Sequence, residues 1–163
     1  MTPTIRDATE QDWARIHPFY AAIVADGRTY AFPEGQSLEE ARPWWMAQPP
    51  GRTVVACDGE TVLGSATMGP NRPGRGAHLA TASFMVDPAH RGLGVGRLLG
   101  EHVVAWARGS GYHGIQFNAV VETNTAAVRL WQDLGFEVVG TVPEAFDHRD
   151  HGLVGLHVMF LRL

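Results

Sequence analysis

Apolar residues recur along the chain at two spacings. Trp13, Ile16, Tyr20, Ile23 and Val24 fall at helical intervals, after Thr9-Glu10-Gln11-Asp12, a capping residue followed by first-turn acids. Pro18 lies inside that stripe and is expected to kink the helix or split it in two. Ser37-Leu38-Glu39-Glu40 is a capping box for a second helix, expected to reach about Gln48. A third stripe holds Val95, Leu98, Leu99, Val103 and Trp106 and ends at Gly109 and Gly111. A fourth, Ala127, Val128, Trp131 and Leu134, is capped by Asn124 and closed by Gly135.

Between these stripes lie runs of strand character at residues 4–8, 53–56, 61–68, 79–86, 114–121, 136–142 and 153–161. Asp58-Gly59 joins two of them as a hairpin turn. Residues 69–78 and 143–152 are expected to be loops, the second rich in His and Asp. Hairpin strands mixed with crossover helices predict an α/β (α+β) fold, with a mixed sheet and helices on both faces.

The length, 163 residues, suits one domain over residues 1–163. Apolar residues at 45% and charged residues at 18% argue for a substantial core and against disorder. A net charge of −4 argues against a broad nucleic-acid surface. No apolar run approaches a membrane helix, and residues 1–7 lack the apolar stretch of a signal peptide. The single cysteine, Cys57, cannot form an internal disulfide and is expected to be a small buried residue in a reducing, cytoplasmic setting.

The most informative stretch is Arg91-Gly92-Leu93-Gly94-Val95-Gly96-Arg97, between a strand and a helix. Glycines there let successive N–H groups turn inward, the helix start adds free N–H groups and a positive dipole end, and Arg91 and Arg97 add full charges. That combination suits a diphosphate. A triphosphate loop would continue Gly-Lys-Ser/Thr, but the chain reads Gly96-Arg97-Leu98. A dinucleotide fingerprint would lie near the first strand of a Rossmann unit, not mid-chain after a meander. Arg91, Gly94 and Gly96 instead fill the pattern Arg/Gln-x-x-Gly-x-Gly/Ala, the coenzyme A diphosphate loop of the GNAT (GCN5-related) N-acetyltransferases, and the whole chain resembles that family.

The resemblance implies an acyl-CoA N-acyltransferase fold with a mostly antiparallel sheet of six to seven strands. It implies acetyl-CoA as acetyl-donor substrate, direct transfer to an amine and no metal. The splayed strand before the loop would pair with the pantetheine arm through Phe84, Met85 and Val86, and residues 91–97 would hold the diphosphate. Asn124 to Trp131, followed by Leu134-Gly135-Phe136, looks like the second family signature, which places Asn124 near the reactive end of the coenzyme. Trp131 departs from it: the usual residue is a tyrosine that can protonate the leaving thiolate, whereas an indole N–H donates hydrogen bonds without acting as an acid. Within the family, residues 68–142 look most like the fungal acetyltransferases that detoxify proline analogues such as azetidine-2-carboxylate. Asn118 and Asn124 match two substrate-holding asparagines of that group, and Thr81 replaces a third.

The residues add their own candidates. Asn118 is an amide in an apolar strand, on the same face as Gln116 and Glu122 if alternation holds, and is read as an acceptor-binding residue. Glu122 and His78 are candidates for proton removal, each weighed against an ordinary exposed position. Thr81, Ser83 and Tyr30 are expected near the acceptor, and Phe32 in the core. Asp147, His148, Asp150 and His151 match no defined zinc spacing and are expected to shape the acceptor pocket or lie exposed. Trp44 and Trp45, adjacent on a helix, cannot both face one core, so one is expected at a subunit contact or the acceptor cleft. The reading is a small-molecule N-acetyltransferase that forms a homodimer if Trp44 or Trp45 marks a contact. Its rivals are a relative acting on an aminoglycoside, a polyamine or a protein amino terminus, and a non-catalytic acetyl-CoA-binding module.

Overall fold

The computed structural model describes residues 2–163. In chain order the elements are β1 (Thr4–Asp7), α1 (Glu10–Asp26), α2 (Leu38–Trp45), β2 (Arg52–Asp58), β3 (Thr61–Pro70), β4 (Leu79–Val86), α3 (Val95–Gly109), β5 (Gly114–Val121), α4 (Thr125–Asp133), β6 (Glu137–His148) and β7 (Gly152–Arg162). The strands form a seven-stranded sheet in the order β1-β2-β3-β4-β5-β7-β6. Every neighbouring pair is antiparallel except β4 and β5.

Strand alternation sends two sets of side chains to opposite faces. Val55, Cys57, Val62 and Met85 meet Trp13, Ile16, Tyr20 and Trp45 from α1 and α2. Val54, Ala56, Ala80, Ile115 and Phe117 meet Val95, Leu99 and Val103 of α3 and Trp131 of α4. Helices thus cover both faces, and Cys57 is buried as expected.

Three local expectations change. Helix α1 continues unbroken through Pro18. The proline leaves one carbonyl without its helical donor, but Ile16, Phe19 and Tyr20 on either side are buried, and that packing outweighs the local cost. Helix α2 stops at Trp45 rather than Gln48: Met46 turns extended, and Ala47 N–H donates to Thr53 Oγ1 at 2.9 Å. Residues 143–148 belong to β6 and not to a loop, pairing with β7 through Phe146↔Val154, Asp147↔Leu153 and His148↔Gly152. A register shift between Val142 and Phe146 takes up Pro143 and the left-handed Glu144 (φ 56°), as bulges do.

At the amino end, Asp12 is buried and accepts from both Arg6 guanidinium nitrogens (2.6 and 3.0 Å) and from Thr9 N–H (2.7 Å). These bonds, Arg6 first, pull its carboxyl down to about 2.

Candidate donor and acceptor site

Strands β4 and β5 pair only at Leu79↔Gly114 and Ala80↔Ile115 and then part. The next stretch of β5 bulges between Phe117 and Val120, which bends it away from β4. The gap opens a cavity of about 840 Å³, lined on its β4 side by residues 81–86 and on its β5 side by residues 117–121. Within it, the N–H and C=O of Phe84 point away from β3, because both are taken by the Tyr30 hydroxyl (2.8 and 2.6 Å). Antiparallel pairs alternate, so Val86 shares that orientation, while the main chain of Met85 turns to Ser65 on β3. Met85 enters the cavity by its side chain.

At the carboxyl end of β4 the chain makes the glycine-rich turn. Gly92 and Gly94 adopt φ of +78° and +77°, and a Cβ built on either meets nothing within 4 Å. The hollow beside α3 is therefore open, and its glycines are needed for backbone conformation rather than for packing. Val95, Gly96 and Arg97 precede the first helical bond, Leu98 N–H to Gly94 C=O (3.0 Å), so their N–H groups lack helical acceptors. Arg91 is exposed and lines the cavity. Arg97 is directed elsewhere, to Asp133 (3.0 Å) and Glu101 (3.9 Å) of α4 and α3. Leu93 is exposed, whereas the Val95 side chain is in the core. A diphosphate fits this hollow on backbone grounds, and Arg91, which opens the turn, lines the adjoining cavity.

Trp131 is 6% exposed; its ring lies 4.5 Å from that of Phe84 and 4.9 Å from that of Phe117, forming the apolar wall beneath the gap. Asn124 caps α4 through Oδ1, which accepts Ala127 N–H at 3.4 Å, and it lines the cavity.

On the opposite face of the sheet, Asn118 and Thr81 stand on the two strands where they begin to part. Asn118 Nδ2 donates to Asn71 Oδ1 (2.7 Å) and approaches Thr81 Oγ1 (3.5 Å), and Asn118 Oδ1 accepts from Gln116 Nε2 (2.9 Å). Tyr30, Phe32 and Trp44 form an aromatic wall, with Tyr30 and Phe32 stacked at 5.4 Å and Phe32 meeting Trp44 edge-on at 6.0 Å. Of the adjacent tryptophans, Trp45 is buried and donates to Ser65 Oγ (2.9 Å), while Trp44 is 50% exposed at the cavity wall. Phe146 and Leu156 close the β6–β7 side. Arg28 bridges Asp26 and Asp150, tying the β6–β7 turn to the end of α1.

The structure gathers Tyr30, Thr81, Phe84, Met85, Val86, Arg91, Asn118, Asn124 and Trp131 around one cavity. It does not bring His78 or Glu122 there. His78 is exposed with its ring against His113 at 6.2 Å. Glu122 follows the β5 bulge, which breaks the alternation with Asn118, and its carboxylate accepts Gly155 N–H (2.8 Å). Sequence reasoning missed Asp26, Arg28, Phe146 and Leu156. Arg28 and Asp150 are 122 positions apart, and no spacing pattern links them. Among the described residues no group of three or more His, Cys, Asp or Glu is arranged to hold a metal, and no helix is long and apolar enough to cross a membrane.

Comparison with known proteins gives the family in which this split sheet and glycine-rich helix start belong. Residues 11–136 match the model of the acetyltransferase (GNAT) family, and the chain belongs to it. The solved structure of a GCN5-related N-acetyltransferase from Kribbella flavida is 57% identical, with a TM-score of 0.95 over 99% of this chain and 98% of that one. A Salmonella typhimurium structure, yncA, described as a putative acetyltransferase with its cofactor acetyl-CoA, is 28% identical, with a TM-score of 0.87 over 100% and 95% of the two chains. The L-methionine sulfoximine/L-methionine sulfone acetyltransferase of Salmonella typhimurium is 30% identical over 148 residues, 86% of this chain and 84% of its own length. Three other curated relatives are longer: the match spans 49% of the Schizosaccharomyces pombe N-acetyltransferase aca1, and 13% and 43% of two more.

Proposed function

We propose that residues 1–163 are one acetyl-CoA-dependent N-acetyltransferase domain, working in the cytoplasm, that moves an acetyl group directly onto the amine of a small molecule of amino-acid type. The observation that carries this reading is the parting of β4 from β5 after two paired positions. The gap runs from the open glycine turn to a polar, aromatic-walled pocket on the other face.

Each part has a role set by its chemistry. The N–H groups of the turn and of α3, with Arg91, hold the diphosphate. The main chain of Val86, and the C=O of Phe84 once Tyr30 releases it, pair with the pantetheine arm as a neighbouring strand would. Trp131 and Phe117 supply the apolar wall, and Asn124 donates near the reactive end. Asn118 and Thr81 orient the acceptor, and Tyr30, Phe32 and Trp44 enclose its side chain. The donor supplies an activated acyl thioester, and holding it against the amine removes much of the entropic barrier. None of the described histidines or glutamates lines the cavity, and its one carboxylate, Asp26, is paired with Arg28; the amine therefore sheds its ammonium proton to solvent before attack.

The amino-acid class rests on the amide pair Asn118 and Asn124, on the likeness to acetyltransferases of proline analogues, and on the Salmonella relative named for methionine sulfoximine and sulfone. The test is free-thiol release from acetyl-CoA across a panel of amines: neutral amino acids and their analogues, polyamines and aminoglycosides. Turnover is expected to be fastest with an amino-acid analogue. Coenzyme binding without acetylated product from any amine would overturn the catalytic reading.

A further inference from the structure

Tyr30 reaches the β4–β5 gap from the acceptor face and takes both main-chain groups of a single residue. Its hydroxyl donates to Phe84 C=O at 2.6 Å and accepts from Phe84 N–H at 2.8 Å. These are the groups that a neighbouring strand would bond if the sheet were closed. From the other face the ring of Trp131 covers the same residue, 4.5 Å from the Phe84 ring. The phenol oxygen thus stands, relative to Phe84 N–H, where the carbonyl oxygen of an added chain would stand. Its ring is held by stacking on Phe32 at 5.4 Å and by an edge contact with Trp45 at 6.5 Å.

We propose that Tyr30 is a catalytic residue: when acetyl-CoA binds, its hydroxyl releases Phe84 C=O to the pantetheine arm and Phe84 N–H to the acyl oxygen, and donates its one proton to that same oxygen, giving a two-donor site for the charge that develops there. This assignment rests on the acetyltransferase reading above. In the transfer the amine lone pair forms the new C–N bond, and the C–S bond breaks with its electron pair leaving on sulfur. The surplus proton of the nitrogen passes through solvent to the thiolate, so the products are the amide and the free thiol. Burial pushes the Tyr30 phenol up to about 12. A phenol so reluctant to ionise keeps its proton and acts as a donor; passing that proton to a thiolate of pKa about 8.5 is uphill. Tyr30 therefore does not replace the tyrosine acid that Trp131 displaces. It supplies carbonyl polarisation.

The test is Tyr30→Phe, which keeps the aromatic stack and removes the donor. We expect kcat to fall about 100-fold, as loss of one oxyanion donor does. The affinity for acetyl-CoA should be unchanged or higher, because Phe84 N–H is left free. The infrared band of acetyl-CoA labelled with ¹³C at the acyl carbonyl should move to lower frequency on binding the unsubstituted protein, and less in the variant. A kcat within threefold of the unsubstituted protein, or an identical carbonyl shift, would overturn the assignment, as would weakened coenzyme binding with kcat intact. If Tyr30→Phe does not fold, 3,5-difluorotyrosine at position 30 keeps the shape and strengthens the donor; a further downshift is expected, and an unmoved band would overturn the proposal. Absence of both binding and turnover in the unsubstituted protein would overturn the acetyltransferase reading and this assignment with it.

Discussion

The two halves of the cavity are built from different materials. The donor half is mostly main chain: the glycine turn of residues 92–96, the first N–H groups of α3, and β4 where it leaves β5. The acceptor half is mostly side chains, brought from the end of α1 and the segment after it, from α2, β4 and β5, and from the β6–β7 hairpin. Main-chain recognition depends on conformation, so it demands glycine at a few adjacent positions and leaves a compact motif. Side-chain recognition depends on which distant residues the fold happens to assemble. One half can therefore be kept while the other is remodelled for a new acceptor.

The largest expected effect falls on the donor half. Arg91→Ala with Gly94→Glu removes a guanidinium, places a like charge in the hollow, and forces a left-handed residue at a cost of about 1–2 kcal/mol. Because a Cβ at Gly94 meets nothing within 4 Å, the fold should survive. Calorimetry should find affinity for acetyl-CoA reduced at least about 100-fold, with an unchanged circular dichroism spectrum; retained affinity would detach the turn from its role. On the acceptor side, Asn118→Ala removes an amide bonded to Asn71 and Gln116. Its loss should raise the acceptor KM about tenfold, the worth of one or two hydrogen bonds, with acetyl-CoA affinity within about twofold. Equal losses on both substrates would break the separation of the halves.

Asp12 lies outside both halves and tests stability alone. Its carboxyl is held near 2, below the value it has unfolded, so it stabilises the fold above about pH 4 and loses that contribution as pH falls toward 2. Arg6 is 44% exposed, and screening limits the pair to about 1–2 kcal/mol. Asp12→Asn should lower Tm by a few degrees at pH 7 and flatten the fall of Tm between pH 4 and 2, with acetyl-CoA binding unchanged. A Tm that keeps the full acid slope would remove this account of Asp12. The smallest effect is expected for Glu122→Gln. Its side chain holds Gly155 N–H outside the cavity, and glutamine still accepts that bond. Acetylation rates should stay within about twofold from pH 6 to 9; a large loss would return Glu122 to proton removal.

The same contrast governs what the sequence could reveal. The donor half was legible from Arg91, Gly94 and Gly96 because backbone conformation is encoded locally. Asn118 was legible as a polar residue in an apolar strand. Glu122 does not share the face of Asn118, because alternation breaks at a bulge that no local residue announces. Pro18 did not split its helix: buried neighbours contributed by the rest of the fold hold the two halves in one element. The β6–β7 hairpin looked like a loop because its polar residues pair through their main chain, which carries no compositional signal. Arg28, Asp26 and Asp150 meet only in three dimensions.

The central claim is that exposed main chain at the end of β4 and the start of α3 grips the donor. Site-resolved amide hydrogen exchange with and without saturating acetyl-CoA tests it most directly. Exchange should slow at Val86 and across Gly92–Arg97, and stay unchanged in β2 and β3. Saturation of the protein with acetyl-CoA while the Val86 and Gly92–Arg97 amides exchange at their free rates would contradict it.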